Sequence, residues 1–314
     1  MKQNKSLSTQ EVADILHVSK STIYELIRKG EISSYRIGRK VRFTQEDVDA
    51  YIGRSRHSQR VAAPVKKVTV QSSLLRGEPE QIPPLVIAGQ DVILDLLSNH
   101  LHQYNIASVR TYLGSFESIL ALYQDQVQVA MCHLWDSDSN TYNLPYIRRL
   151  MPGTPAIAVN LSYRMQGFYV QKGNPKEITS WKDLARSDVT ILNRKKGSGS
   201  RILLDEHLYH LGISVSQVQG YHLETQSHLS AATAISEHQA DVCIGTGRIL
   251  RQFPDLDFIP MQREQCDLII KKERFYTDTI QTMLRILQSE SYHKDIYSIT
   301  DNDYTDLGTI VGEV

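Results

Sequence analysis

Hydrophobic residues near the N-terminus recur at the spacing of short amphipathic helices. The run Ser8–Glu11 has the Ser-x-x-Glu form of a capping box, and an apolar stripe beginning at Val12 follows it directly. A second apolar stripe lies in Lys20–Lys29, which Ser19 is suited to cap and Gly30 to end. Because only a short turn separates the stripes, the pattern predicts two helices joined as a helix-turn-helix.

The spacing then changes from helical to alternating. Ile32–Ile37 and Lys40–Phe43 are strand-like runs around Gly38-Arg39, which together predict a β-hairpin. Thr44 is suited to cap a third helix, Gln45–Ile52. The order helix, helix, hairpin, helix predicts a small winged helix-turn-helix.

From Leu85 onward, short apolar runs alternate with helical patterns. This alternation predicts an α/β fold with a mainly parallel sheet, in which ligands bind where strands end and helices begin. The predicted strands are Leu85–Gly89, Ala107–Arg110, Val127–Cys132, Ala156–Leu161, Gly167–Val170, Val218–Leu223 and Val242–Ile244. The segment between the two patterned regions is basic and lacks periodicity, apart from a predicted short strand at Val65–Val70.

The stretch Ile191–Leu204 contains an apolar run, a loop with alternating glycine and serine at Gly197–Ser200, and the start of a helix. Free N–H groups and the positive end of the helix dipole make such a loop suitable for an anion. The same loop is also suitable as a plain helix cap. Taken alone, the loop leaves both interpretations open.

Charge is distributed unevenly along the chain. The net charge is zero, but residues 1–76 contain 15 Lys and Arg against 7 Asp and Glu. The N-terminal part therefore carries +8 and the remainder −8. A basic arm on an acidic body favours a polyanion as the partner of the first part, and a solvated basic surface is the alternative.

Several classes of protein are not favoured by the sequence. No apolar run is long enough for a membrane helix, and the first residues lack the apolar core of a signal peptide. The three cysteines have no metal-binding spacing and indicate reduced thiols in the cytoplasm.

His207 and His210 lie on one helix, but we expect solvent-facing imidazoles there. For His133 with Asp136 we favour a structural hydrogen-bonded role over an acid–base pair.

The first fifty residues resemble a known DNA-binding family. Leu7–Ala13, Val18–Tyr24, Ile27–Ile32 and Tyr35–Arg39 together resemble the excisionase-like, MerR-related domains, over residues 7 to 52. In that family the second helix enters the major groove and the wing touches the backbone. The resemblance implies DNA contacts from Lys20, Ser21, Thr22, Tyr24, Arg28, Arg36, Arg39, Lys40 and Arg42. The alternative for the wing arginines is an exposed hairpin made soluble by its charge.

The remainder of the chain resembles the periplasmic-binding-protein-like domain that is fused to helix-turn-helix regulators and to some molybdenum-cofactor biosynthesis proteins. The resemblance covers about residues 85 to 272 and implies two α/β lobes that clamp a ligand between them. The hinge is expected near Arg164–Phe168 and Pro260–Cys266. The motifs, in order, are Gly114-Ser115, Asp125–Met131, His133–Asp136, Tyr142–Pro145, Arg164–Gly167, Gly173–Pro175, Asn193-Arg194, Gly197–Arg201, Glu224–His228, Ala240–Val242 and Asp257–Pro260.

Related tungstate and molybdate binders hold an oxyanion with hydroxyls and backbone amides. The predicted ligand-binding residues are Ser115, Ser198, Gly199, Ser200, Arg201, Thr225 and Thr246. Those binders carry threonines and serine after the first strand, whereas this chain reads Ala88-Gly89-Gln90-Asp91. An ionised Asp91 would repel an oxyanion, so either Asp91 only caps a helix or the ligand also carries a positive group.

The chain is thus predicted to contain a winged helix-turn-helix domain (1–56), a basic linker (57–84) and a two-lobed α/β periplasmic-binding-protein-like domain (85–314). Lobe 1 would comprise about residues 85–165 and 262–314, and lobe 2 about residues 166–261. We predict a bacterial one-component transcriptional regulator, a homo-oligomer (dimer or tetramer), that binds double-stranded operator DNA and a small anionic ligand. The ligand is an oxyanion such as molybdate or tungstate, or a small metabolite.

No catalytic residue, cofactor, metal or membrane partner is predicted. Two alternatives remain for the function. One is an enzyme on a binding-protein scaffold, and the other is an excisionase-like accessory factor acting on DNA.

Overall fold

The computed structural model describes residues 7–16, 18–28, 32–37, 40–45, 47–48, 51 and 83–314. The chain divides into two compact units, Met1–Glu78 and Pro79–Val314. The predicted linker up to residue 82, including the predicted strand Val65–Val70, lies outside the described residues. In the described parts of the chain, no helix has the length and apolar character needed to cross a membrane.

The small unit combines two helices with a three-stranded antiparallel sheet of order β1-β3-β2. Strand β1 is absent from the sequence-based prediction and pairs Leu7 with Phe43. The elements are β1 (Leu7–Ser8), α1 (Thr9–Leu16), α2 (Lys20–Arg28), β2 (Tyr35–Ile37) and β3 (Lys40–Phe43). Their apolar faces meet in one core, formed by Leu7, Val12, Ala13, Ile23, Leu26, Ile32, Phe43 and Val48.

Side-chain caps begin both helices where the sequence predicts them. Ser8 N–H donates to Glu11 Oε2 at 2.8 Å and Glu11 N–H donates to Ser8 Oγ at 3.3 Å, which confirms the capping box. Thr22 N–H donates to Ser19 Oγ at 3.2 Å. Residues 45, 47, 48 and 51 are helical, and the rest of the predicted third helix lies outside the described residues.

The large unit has two lobes on one nine-stranded sheet. Lobe 1 begins with β4 (Leu85–Ala88), α3 (Ile93–Gln103), β5 (Ser108–Thr111), α4 (Ser115–Tyr123), β6 (Val129–Cys132), the hairpin of β7 (Trp135–Asp136) and β8 (Thr141–Tyr142), and α5 (Leu144–Leu150). The chain crosses to lobe 2 along β9 (Ala156–Gln171).

Lobe 2 follows the same strand–helix alternation. It contains a 3-10 turn (Trp181–Ala185), β10 (Ile191–Arg194), α6 (Gly199–His210), a second 3-10 turn (Val215–Gln217), β11 (Glu224–Thr225), α7 (His228–Ser236), β12 (Val242–Thr246) and a third 3-10 turn (Gly247–Gln252). The chain returns along β13 (Leu256–Lys271) and ends with α8 (Lys272–Phe275), α9 (Asp278–Leu287), α10 (Glu290–Ile299) and β14 (Ile310–Glu313).

The strand order is β11-β10-β12-β9-β13-β6-β4-β5, with β14 paired to β9. Strands β4, β5 and β6 are parallel, as are β10, β11 and β12, whereas β9 and β13 are antiparallel to their neighbours. The two long strands pair from Gln171↔Leu256 to Ala156↔Lys271 and join the lobes. The residues at which we expect the hinge lie within these strands.

In the large unit, the strand prediction differs from the structure at two places. The predicted strands Ala156–Leu161 and Gly167–Val170 are parts of a single 16-residue strand, β9. The predicted strand Val218–Leu223 is wrong, because Gly220 adopts φ +76 and turns the chain. A Cβ at that position would lie 2.1 Å from the Ile191 carbonyl oxygen, so the turn requires glycine. The short strand of this region begins only at Glu224.

Candidate functional site

A small cavity lies between the lobes, where strand ends meet helix starts. The centre of a water-sized sphere can move through about 30 Å³ of this cavity, which leaves room for a small ligand. Its lining residues are Gln90, Leu113, Gly114, Ser115, Met131, His133, Arg164, Arg194, Ser198, Gly199, Ser200 and His228.

Three helices begin at this cavity. Gly114 precedes α4, Ser198 precedes α6, and His228 is the first residue of α7. The first N–H groups of a helix have no partner inside the helix, and its dipole places partial positive charge there. The cavity therefore lies in a field that favours negative charge.

The glycine–serine loop contributes both as a cap and as a cavity wall. Ser198 Oγ accepts from Arg201 N–H at 3.3 Å and so caps α6. Gly197 adopts φ +86, a left-handed conformation that glycine takes without strain. Ser198, Gly199 and Ser200 also line the cavity, so the two interpretations of the loop are compatible.

Arg194, at the end of β10, is the most distinctive group in the lining. Arg194 is 3% exposed. Its Nη1 donates to His228 Nδ1 at 2.8 Å, and its Nη2 donates to the Gln226 carbonyl at 3.3 Å. Its Nε–H has no hydrogen-bond partner, and burial lowers the pKa of the guanidinium. Within the described residues, no carboxylate pairs with it. An unpaired buried cation is costly, so an anion in the cavity would stabilise it.

His228 assists Arg194 as a neutral imidazole. Burial, and then the nearby Arg194 charge, lower the pKa of His228 well below its usual value. Because Nδ1 accepts from Arg194, we assign the ring hydrogen to Nε2. The ring is then a hydrogen-bond donor beside the cavity.

Arg164 and two carboxylates form a buried ion network at the hinge. Arg164 Nε lies 2.6 Å from Glu264 Oε2, and Nη1 lies 2.9 Å from Asp91 Oδ2. Asp91 Oδ1 accepts from Ile93 N–H at 3.1 Å, so Asp91 also caps the start of α3. Asp91 is not among the lining residues. Since Arg164 balances its charge, Asp91 gives no reason to expect a positive group on the ligand.

His133 also belongs to this network. Its Nδ1–H donates to Glu264 Oε1 at 2.5 Å, and its backbone N–H donates to Ser115 Oγ at 3.3 Å. Burial raises the pKa of Glu264, but His133 and Arg164 outweigh burial and hold it at about 2. The Asp136 carboxylate instead accepts a hydrogen bond from Ser139 Oγ–H at 2.6 Å. The carboxylate partner of His133 is therefore Glu264 and not Asp136.

The lobes meet around the cavity at several points. Phe116 N–H donates to the Gly197 carbonyl at 3.2 Å, and Lys195 Nζ lies 2.8 Å from Glu117 Oε1. Glu206 of α6 accepts from Ser137 N–H of lobe 1 at 3.1 Å. The helix that supplies the glycine–serine loop is thus bonded to the opposite lobe.

His207 is enclosed rather than facing solvent, so that expectation is wrong. Its ring lies between Trp135 and Trp181, with centroid distances of 4.4 and 4.0 Å, and its Nε2 lies 2.7 Å from Gln262 Oε1. Trp135 comes from the β7–β8 hairpin of lobe 1 and packs into the core of lobe 2. His210 is exposed, and no metal-binding group of residues occurs within the described ranges.

The predicted ligand residues fall into two groups. Ser115, Ser198, Gly199 and Ser200 line the cavity, whereas Arg201, Thr225 and Thr246 do not. The Arg201 guanidinium lies 3.2 Å from Asp205 and 3.2 Å from Glu224, with both contacts away from the lining.

The remaining two predicted residues also have other partners. Thr225 Oγ1 donates to Ser230 Oγ at 2.8 Å, and the Thr246 carbonyl accepts from Tyr169 Oη–H at 2.8 Å.

Sequence reasoning missed Arg194, His228 and Arg164 as lining residues. The sequence could have indicated Arg194, because this residue ends the strand before the glycine–serine loop and ligands bind at such strand ends. For His228 the signal is its place after the helix cap Ser227. Arg164 lies within a long strand, where only the tertiary fold brings it to the cavity.

In the small unit, most predicted DNA-contact residues are accessible. Lys20, Ser21, Tyr24 and Arg28 of α2 and Lys40 of β3 are exposed, with Tyr24 54% exposed, and Thr22 and Arg42 are half-buried. Arg39 and the side chain of Arg36 lie outside the described residues.

Two family models match the chain. The model described as "PBP superfamily domain" matches residues 94–288, and the model described as "Helix-turn-helix domain" matches residues 6–56. The uncharacterized protein YvgK of Bacillus subtilis (strain 168) is 38% identical over 314 residues, which cover 100% of both chains.

Solved structures are similar in fold. A putative phosphate ABC transporter substrate-binding protein with bound phosphate from Clostridium perfringens has TM-score 0.52 and 11% identity, over 69% of this chain and 97% of that chain. A histidine kinase sensor domain with similarity to periplasmic binding proteins has TM-score 0.51 and 10% identity, over 70% and 96%. At such identities the likeness shows the fold alone.

Proposed function

Because the chain belongs to the PBP-superfamily domain family and carries a helix-turn-helix domain ahead of that domain, we propose that it is a transcriptional regulator controlled by a small anion. The helix-turn-helix binds double-stranded operator DNA, and the inter-lobe cavity binds the anion. Both matched domains are binding types, so regulation is preferred over the two alternatives, an enzyme and a DNA accessory factor.

One observation carries the choice of an anion. Arg194 is a buried cation with an unpartnered Nε–H, and it lines a cavity at which three helices begin. A bound anion would accept from Arg194, from the first helical N–H groups and from Ser115 or Ser198. These groups would give the site its affinity without a metal or a nucleophile.

The size of the cavity narrows the ligand class. The cavity, of about 30 Å³, has room for a compact ion. Tetrahedral oxyanions such as molybdate, tungstate, sulfate and phosphate are the first candidates. Anion binding would favour the closed arrangement of the lobes and, in a homo-oligomer, change the spacing of the DNA-binding domains.

A thermal-shift experiment on the full chain tests the anion site. At a hundredfold excess over Kd, the bound oxyanion should raise Tm by about 5 to 10 °C. Arg194→Met should lose this rise because it removes the one guanidinium of the described lining that has no carboxylate partner. Arg201→Met is the matched control and should retain it, since Arg201 does not line the cavity. A rise that persists in Arg194→Met but disappears in Arg201→Met would contradict the proposed site.

A second experiment tests the regulatory role. Binding of the full chain to a random double-stranded DNA library, with and without the active anion, should enrich a sequence whose affinity changes with the anion. No enrichment in either condition would contradict DNA regulation. Enrichment that is the same in both conditions would contradict control by the anion.

A further inference from the structure

His133 is held so that only one of its ring nitrogens is available to the cavity. Nδ1 donates to Glu264 Oε1 at 2.5 Å, and the side chain is 14% exposed where it lines the cavity. The two nitrogens lie on different edges of the imidazole, so Nε2 points away from Glu264. Gly199 packs against the ring so closely that a Cβ there would lie 2.2 Å from Cε1. The ring therefore has little freedom to rotate.

The charged groups around His133 come from several elements. Glu264 and Arg164 belong to the hinge strands, Asp91 precedes α3, Arg194 ends β10, and neutral His228 begins α7. With His133 neutral, the two arginines and two carboxylates sum to zero. A doubly charged anion then leaves a deficit of two charges in a buried site, and an imidazolium at His133 reduces it to one.

We propose, on the basis of the proposed function, that the cavity binds a doubly charged oxyanion together with one proton, and that His133 takes up this proton. The proton is bound at Nε2, and the resulting N–H donates to an oxygen of the anion. Glu264 positions the ring and stabilises the imidazolium through Nδ1–H. His133 is thereby a ligand-binding residue that makes the sensor respond to pH as well as to anion concentration.

Thermodynamic linkage between proton binding and anion binding determines how the anion affinity changes with pH. Since the complex holds more protons than the free protein, affinity falls as pH rises, by up to tenfold per pH unit where uptake is complete. The affinity should level off at a weaker value at high pH.

Isothermal titration calorimetry of the full chain with sodium molybdate tests the proposal between about pH 6 and pH 8.5. Molybdate keeps both charges over this range, so any proton taken up belongs to the protein. Titrations in two buffers with different ionisation enthalpies should show uptake approaching about one proton per anion near neutral pH. Zero uptake and a pH-independent Kd would overturn the proposal while leaving the anion sensor intact.

Variants identify the group that holds the proton. His133→Gln retains an amide donor but cannot take up a proton, so its Kd should not vary with pH. His210→Gln replaces an exposed histidine and should leave proton uptake unchanged. Undiminished uptake in a folded His133→Gln would assign the proton elsewhere and overturn the proposal. If His133→Gln does not fold, the wild-type buffer comparison still decides whether a proton is taken up.

If no anion binds at any pH, the proposed function itself fails. That result is distinguishable from binding without proton uptake.

Discussion

Gly199 of lobe 2 packs against the His133 ring of lobe 1. Added as a probe, a Cβ would lie 2.2 Å from His133 Cε1 and 2.3 Å from Nδ1. Such distances are far inside van der Waals contact, so Gly199→Ala should hold the lobes apart. We expect at least a tenfold loss of anion affinity by calorimetry, because the substitution disfavours the closed arrangement of the lobes around the cavity.

A double variant separates this clash from other effects. In Gly199→Ala with His133→Ala, the ring is absent and the methyl group fits, so the glycine substitution should have little further effect on affinity. An equal loss in both backgrounds would show that the methyl group acts by another route.

At the same scale, arginines show what a sequence can and cannot supply. Arg194 and Arg201 flank the same loop, and sequence reasoning chose Arg201 alone. The two side chains point in different directions. Arg201 forms ion pairs with Asp205 and Glu224, whereas Arg194 lines the cavity. That choice depends on which carboxylates the fold places nearby, and local pattern does not contain it.

At the scale of elements, α2 (Lys20–Arg28) is the helix expected to read DNA. Lys20→Ala and Arg28→Ala should each weaken binding to the selected DNA and reduce the slope of log K against log salt by about 1, since each side chain is predicted to contact one phosphate. Both side chains are exposed, so Tm should not change. Fluorescence anisotropy at several salt concentrations measures the slope.

Arg148→Ala is the control, because Arg148 is an exposed arginine of the large unit. Its salt slope should equal that of the wild type. If the α2 variants also retain the wild-type slope, α2 does not contact phosphate.

Most elements of the fold follow from periodicity, and strand β9 shows one reason why periodicity fails. The prediction divided strand β9 between Leu161 and Gly167, where Ser162 and Gln166 bound a polar interruption of its apolar run. Both residues are 0% exposed. Gln166 Nε2 donates to Glu264 and to Ser200 Oγ at 3.0 Å each. Tertiary hydrogen bonds make these polar residues tolerable in the interior, and a sequence pattern counts them as surface.

At the scale of the whole molecule, the two units have separate hydrophobic cores. We therefore expect two heat-absorption transitions in scanning calorimetry of the full chain. The active oxyanion should raise only the transition of the large unit, and Arg194→Met should remove that rise. A single transition that moves as a whole with the anion would show instead that the units unfold together.

The β7–β8 hairpin has a consequence for observing this molecule. The chain has 2 tryptophans, and they lie on opposite faces of His207. Trp135 is carried by one lobe and Trp181 by the other, so separation of the lobes must open the stack. The wavelength and intensity of indole emission change when a stacked ring becomes exposed to water. The intrinsic tryptophan fluorescence of the protein should therefore report separation of the lobes without any attached dye.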